Sequence, residues 1–136
     1  MTFRAMALVV AALMAAGCTS NNVPTSPGDA RSLTVSATDT ECRVSATTAP
    51  AGTLTFAVTN NGSSVTEFYV LAGDGLRIVA EIENVGPGIT RELVLIAPAG
   101  SYFTACKPGM VGDGIRSTFT VTDSGQSVGP TGGDAA

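Results

Sequence analysis

The chain has 136 residues, with seven basic against eleven acidic side chains and a net charge of −4. It contains no histidine and no tryptophan. The lack of imidazole excludes a Ser-His-Asp triad, ordinary zinc enzyme sites and the histidine ligands of blue copper centres. The chain has few charged residues, most of them acidic, and no run of basic residues. This excludes nucleic acid as a partner, because affinity for nucleic acid depends on Lys and Arg contacts to phosphates.

Residues 1–17 have the pattern of an export signal. Arg4 precedes a short apolar run at residues 5–16, which is too short for a membrane-spanning helix of about 20 residues. The run ends in Ala-Ala-Gly followed by Cys18, which resembles a bacterial lipobox. We expect Cys18 to be lipidated and to anchor the protein at the outer face of the cell membrane, in the periplasm. The alternative is an ordinary signal peptide with a chance cysteine.

The remaining chain divides into a linker at 18–32, a domain at 33–123 and a tail at 124–136. The linker and the tail are polar and rich in Gly, Pro and Ser. This composition predicts a flexible tether on the lipid anchor and a disordered tail.

The central segment alternates apolar and polar residues instead of repeating them every three or four positions. Leu54, Phe56 and Val58 show this period of two, which is typical of half-buried strands. Gly, Pro and Asn clusters at short intervals supply the turns. Seven to eight strands in about 90 residues predict an all-β Greek-key sandwich or barrel.

Four stretches resemble the cupredoxin-like domain of EfeO, the extracytoplasmic component of a bacterial iron-uptake system. They are TEFYVL at 66–71, EIENVGPG at 81–88, TACKPGM at 104–110 and VGDGIR at 111–116. The resemblance covers nearly the whole folded part and implies a cupredoxin-like fold. The family's second, helical domain has no counterpart in these 136 residues, so we expect a stand-alone cupredoxin-like lipoprotein.

The resemblance also implies metal binding, with a copper or iron ion. It places Glu67 where blue copper proteins have a histidine after the Asn-Gly turn, and Gly109 where they have the second histidine. Partners implied by the family are the metal ion and an iron permease or peroxidase component of the uptake system. Whether the ion is also oxidised, as a ferroxidase would do, stays open, and no catalytic residue is predicted.

Two roles are open for Cys42 and Cys106, which are the cysteines left once Cys18 is lipidated. In an oxidising compartment, an even pair forms a disulfide, and closing a loop of this size stabilises a fold by about 4 kcal/mol. Alternatively, the two thiolates ligate a metal together with Met110. Thiolate and thioether are soft donors and suit Cu(I).

Carboxylates offer a harder set of donors. Glu67 moves the preference from Cu(I) toward iron. Glu81 and Glu83 alternate with apolar residues and share one face of a strand, so they can converge on a cation, with Asp113 as a third candidate. The alternative is that they form the solvated face of that strand.

The sequence therefore predicts a metal-binding protein with one mixed site. Its predicted ligands are Cys42, Glu67, Cys106 and Met110, with Glu81, Glu83 and Asp113 as a secondary acidic set. The competing interpretation is a disulfide-stapled sandwich that acts as an interaction or structural module without metal.

Overall fold

The computed structural model describes residues 29–124. The predicted signal segment, the lipidation site Cys18 and most of the predicted linker and tail lie outside the described residues, so these predictions stay untested. Within the described range, no helix is long and apolar enough to cross a membrane.

Nine strands in two sheets make up the fold, and residues 29–124 contain no α-helix. The sheets have the orders β2-β1-β4-β7 and β3-β9-β8-β5-β6. The predicted all-β sandwich is confirmed, with nine strands in place of seven or eight. The strands are β1 (Ser32–Ala37), β2 (Cys42–Val44), β3 (Thr48–Pro50), β4 (Gly52–Asn60), β5 (Thr66–Ala72), β6 (Ile78–Val85), β7 (Thr90–Ala97), β8 (Gly100–Cys106) and β9 (Ile115–Thr122), and one turn of 3-10 helix covers Pro108–Met110.

The core lies between the two sheets and is centred on Phe56 of β4. Its ring centroid lies 5.4 Å from that of Phe68 on β5 and 5.6 Å from that of Phe119 on β9. Each such aromatic pair contributes about 0.5–1.5 kcal/mol beyond the area that it buries. Because the three rings come from both sheets, they hold the two layers together.

Strand β5 is buried on both of its faces, from Thr66 to Ala72. Phe68 and Val70 point into the core, whereas Tyr69 and Leu71 belong to a second, smaller apolar cluster with Ala105. That cluster lies on the opposite, outer face of the second sheet, since neighbouring residues of a strand alternate between faces. The outer face therefore has buried positions of its own.

A disulfide between Cys42 and Cys106 joins the two sheets, with 5.5 Å between the Cα atoms. Cys42 lies on β2, at an edge of the first sheet, and Cys106 on β8, in the interior of the second. On the other side of the sandwich, Arg91 of β7 donates a hydrogen bond from Nη1 to the carbonyl of Glu83 on β6, at 2.7 Å. Cys42 and Cys106 therefore take the first of the two roles left open by the sequence, which is disulfide formation.

We expect the Cys42→Ala/Cys106→Ala double variant to unfold with a free energy lower by about 4 kcal/mol, because the bond closes a loop with a sequence separation of 64. Urea unfolding followed by circular dichroism measures the difference. The wild-type protein in a phosphine reductant is the control and should lose a similar amount. A loss under about 1 kcal/mol in both would contradict a stabilising role.

Candidate metal site on the outer face of the second sheet

Glu67 and Cys106 lie on opposite faces of the second sheet. Phe68 is the residue directly opposite Cys106 in the register of β5 and β8. One position along, Lys107 donates its backbone N–H to the carbonyl of Glu67 at 2.9 Å. Opposed residues share a face and neighbours alternate, so Phe68 and Cys106 face the core while Glu67 and Lys107 face outward.

This arrangement divides the predicted ligand set of Cys42, Glu67, Cys106 and Met110. Cys106 is fully buried within the apolar core. Its sulfur is bonded to that of Cys42, and a disulfide sulfur is not the thiolate that ligates metals. The structure thus does not bring the sulfur and carboxylate donors to one point, because the pleat of β5 and β8 separates them.

Glu67 is nevertheless unusually placed for a carboxylate, with only 7% of its surface exposed. The hydroxyl of Tyr69, two residues along the same face, donates a hydrogen bond to Oε2 of Glu67 at 2.5 Å. The ammonium of Lys107 lies 4.5 Å from the centroid of the Tyr69 ring, a cation–π distance. Glu67 is therefore held in one orientation by a phenol, and a positive charge lies over the ring of that phenol.

Two further carboxylates of β6 lie on this face. Glu81 is directly opposite Tyr69 in the register of β5 and β6. A register shift after Thr66 then accommodates an extra residue on β6, where Asn84 has a φ of 57°. Glu81 and Glu83 are both exposed. The outer face thus carries Glu67 in contact with the Tyr69 hydroxyl, and Glu81 and Glu83 close enough for their charges to act on Tyr69.

The charges on this face affect the pKa of Tyr69. Burial, together with the hydrogen bond and the charge of Glu67, raises the pKa of Tyr69 above its usual value. The charges of Glu81 and Glu83 raise that pKa further.

In the positions that the side chains occupy, no three His, Cys, Asp or Glu residues between 29 and 124 form a group that could hold a metal ion. A cation would therefore have to draw the exposed carboxylates inward.

Met110 and Asp113 lie in the loop that follows β8. Met110 is 41% exposed, and the 3-10 turn that carries it is tied to the segment before β5 by the bond from Gly109 N–H to the Val65 carbonyl, at 2.8 Å. Asp113 is exposed, and its backbone carbonyl accepts a hydrogen bond from Arg116 Nε at 2.8 Å. The turn therefore places Met110 near the start of β5.

The sequence interpretation did not include Tyr69 and Lys107 as site residues. The period of two places Tyr69 on the same face as Glu67, and this signal is present in the sequence. The place of Lys107 depends on the pairing of β5 with β8, which the local sequence does not contain.

We expect the Tyr69 phenol to make stability depend on pH in the alkaline range. Its pKa is higher in the folded protein than the value of about 10 in an unfolded chain, so the folded state holds this proton more tightly. Its contribution is complete below about pH 10 and is lost above it, by up to about 1.4 kcal/mol for each pH unit. Urea unfolding of the wild type and of Tyr69→Phe at several pH values measures the difference. A difference that is constant with pH would contradict the raised pKa.

Comparison with known proteins places this chain in a family. The family model of the "Cupredoxin-like domain" matches residues 5–121. The iron uptake system component EfeO of Yersinia pestis is 31% identical over 78 residues, which are 57% of this chain and 20% of EfeO. The chain thus spans about a fifth of the length of the curated relative that it matches.

Two solved structures are similar to this chain, and the first of them supports the fold. Dithionite-reduced auracyanin from Roseiflexus castenholzii has a TM-score of 0.56 at 18% identity, over 70% of this chain and 99% of that chain. Auracyanin A, a "blue" copper protein from Chloroflexus aurantiacus, has a TM-score of 0.48 at 20% identity, over 67% and 99% of the two chains. With the match of the family model over most of its length, the chain belongs to the cupredoxin-like domain family.

Proposed function

We propose that this protein is an extracytoplasmic, lipid-anchored cupredoxin-like protein that binds iron on the outer face of its second sheet and serves iron uptake. The observation that carries the proposal is the buried carboxylate of Glu67, oriented by Tyr69 and flanked by Glu81 and Glu83. The similarity to a protein named as an iron uptake component supports the choice of ion. Iron is then the cargo of the protein.

The donors on this face are oxygen atoms. Carboxylate oxygens are hard ligands and suit iron better than Cu(I). Glu67 supplies an oriented first ligand, and Glu81 and Glu83 are exposed and free of the packing that would fix their rotamers. Bringing these two side chains onto an ion costs each up to about 2 kcal/mol of rotamer entropy, which the attraction between opposite charges offsets.

The residues do not fit a resident blue copper centre. Such a centre needs two histidines and a cysteine thiolate, and the chain has no histidine. Both candidate sulfurs are bonded to each other, and Cys106 is enclosed by the core. Binding of Cu(I) by Cys42, Cys106 and Met110 stays a prediction for the reduced protein, and the oxidised form favours iron.

The disulfide also supports export. Disulfides persist in oxidising compartments such as the periplasm and are rare in the cytosol. A lipid on Cys18 would then hold the domain at the outer face of the cell membrane. From there, it would pass iron to a permease or act with a peroxidase component, and oxidation of the ion is not assigned.

The second candidate function is a disulfide-stapled module without metal. The disulfide between the sheets favours this function. Residues 29–124 also contain no group of three His, Cys, Asp or Glu side chains that could hold a metal ion. In that case Glu67 and Tyr69 serve only to satisfy each other's polar groups on a partly buried face.

Iron binding by matched variants separates the two candidates. We expect the untagged protein to bind one Fe(II) or Fe(III) per chain, and Glu67→Gln to lower the affinity by about tenfold or more, because it removes the oriented charge. Glu92→Gln is the control, since Glu92 is exposed on β7 in the other sheet. Equilibrium dialysis with metal analysis measures binding, and thermal unfolding checks that each variant is folded.

Two results would count against the proposal. A wild-type protein that binds neither oxidation state of iron would favour the module without metal. An affinity that is equal in the wild type and in a folded Glu67→Gln variant would remove Glu67 from the site.

A further inference from the structure

The side of the sandwich that carries the disulfide also carries a cavity of about 300 Å³. It lies between β2, at the edge of the first sheet, and β9 in the second. Strand β3 pairs with β9 only at Thr120–Thr122, so the stretch 115–119 has β8 on one side and none of the described strands on the other. The cavity occupies the seam that this short pairing leaves. Its lining includes Cys42, Thr47, Thr104, Ser117 and Phe119.

The two sulfurs of the disulfide differ in their access to this cavity. Cys42 lines it and is partly exposed. Cys106 has no exposed surface and belongs to the apolar core. A molecule in the cavity therefore meets the Cys42 side of the S–S bond, with Cys106 behind it.

This asymmetry has a defined chemical consequence. Thiol–disulfide exchange proceeds by attack of a thiolate on one sulfur, and the other sulfur leaves. Which sulfur is attacked depends on access. Here, access selects Cys42 as the attacked residue and Cys106 as the leaving group.

We propose that the cavity is an exchange site for small thiols, which form a mixed disulfide with Cys42 and release Cys106. The bond between the external sulfur and Cys42 Sγ forms while the bond between Cys42 Sγ and Cys106 Sγ breaks. The electron pair leaves with Cys106, whose sulfur then takes a proton from water. The external thiolate is the only reductant, and attack of Cys106 on the mixed disulfide reverses the step.

The size of the cavity favours a small thiol over a protein thiol. Three of the lining residues named above, Thr47, Thr104 and Ser117, carry hydroxyl groups. A volume of about 300 Å³ admits cysteine or a glutathione-sized molecule, and it is too small for a folded redox protein to enter. The site is independent of the carboxylates on the outer face, so its test does not depend on the proposed iron binding.

The test uses the full chain with Cys18→Ser, so that Cys42 and Cys106 are the only cysteines. The oxidised protein is treated with reduced glutathione, free thiols are blocked with N-ethylmaleimide in acid, and peptides are mapped by mass spectrometry. We expect glutathione on Cys42 and maleimide on Cys106, with the reverse pattern rarer by about tenfold or more. An even distribution, a preference for Cys106, or no adduct in the native protein would overturn the proposal.

Variants test whether the cavity is the route. Ser117→Phe places a ring in the cavity and should slow adduct formation by about fivefold or more. Ser101→Phe is the matched control, because Ser101 is exposed on β8 in the same sheet and is not part of the lining. If Ser117→Phe does not fold, Thr47→Phe places a ring at another residue of the lining. A folded cavity variant that reacts as fast as the control would overturn the route through the cavity.

Discussion

The alternation of side chains along β5 and β8 is the constraint on which both the core and the candidate site depend. Phe68 and Cys106 face inward as a cross-strand pair, and the next pair, Glu67 and Lys107, faces outward. A shift of one residue in this register would exchange the faces and bring a carboxylate against Phe56. The free-energy cost of burying an unpaired charge there opposes such a shift, in addition to the loss of apolar packing. The buried position of Glu67 on the outer face is thus a consequence of how the core is filled.

The two sides of the sandwich are closed by different means, and this difference organises the rest of the molecule. On one side, Arg91 bonds across from β7 to β6, beside the outer-face carboxylates. On the other side, where β3 covers only part of β9, the Cys42–Cys106 bond takes the place of strand pairing. The disulfide holds the two sheets together at this seam, where the short strand β3 offers few hydrogen bonds. The same seam leaves the cavity that exposes one sulfur.

The sequence predicts the strands well because their signal is local. The alternation of Leu54, Phe56 and Val58 is enough to identify β4 and its buried face. It does not decide the fate of the cysteines, because disulfide formation depends on the Cα separation of 5.5 Å, which arises only from the tertiary fold. The sequence interpretation placed Glu67 and Cys106 in one site. It did so without the register of β5 and β8, which puts the two side chains on opposite faces. Parity alone does place Glu67, Tyr69, Glu81 and Glu83 correctly relative to their own strands.

The ion in the proposed function follows from which donors remain available. Without histidine, the chain offers sulfur and oxygen, and the disulfide withdraws the sulfur of Cys42 and Cys106 from coordination. Oxygen donors then remain, and the oriented one is Glu67. The proposed sulfur chemistry at the seam and the proposed oxygen chemistry on the outer face lie on opposite faces of the second sheet, because Cys106 faces the core and Glu67 faces outward. A change in the redox state of the disulfide therefore leaves the charge of the outer face unchanged, so the two proposed sites are separate on one sheet.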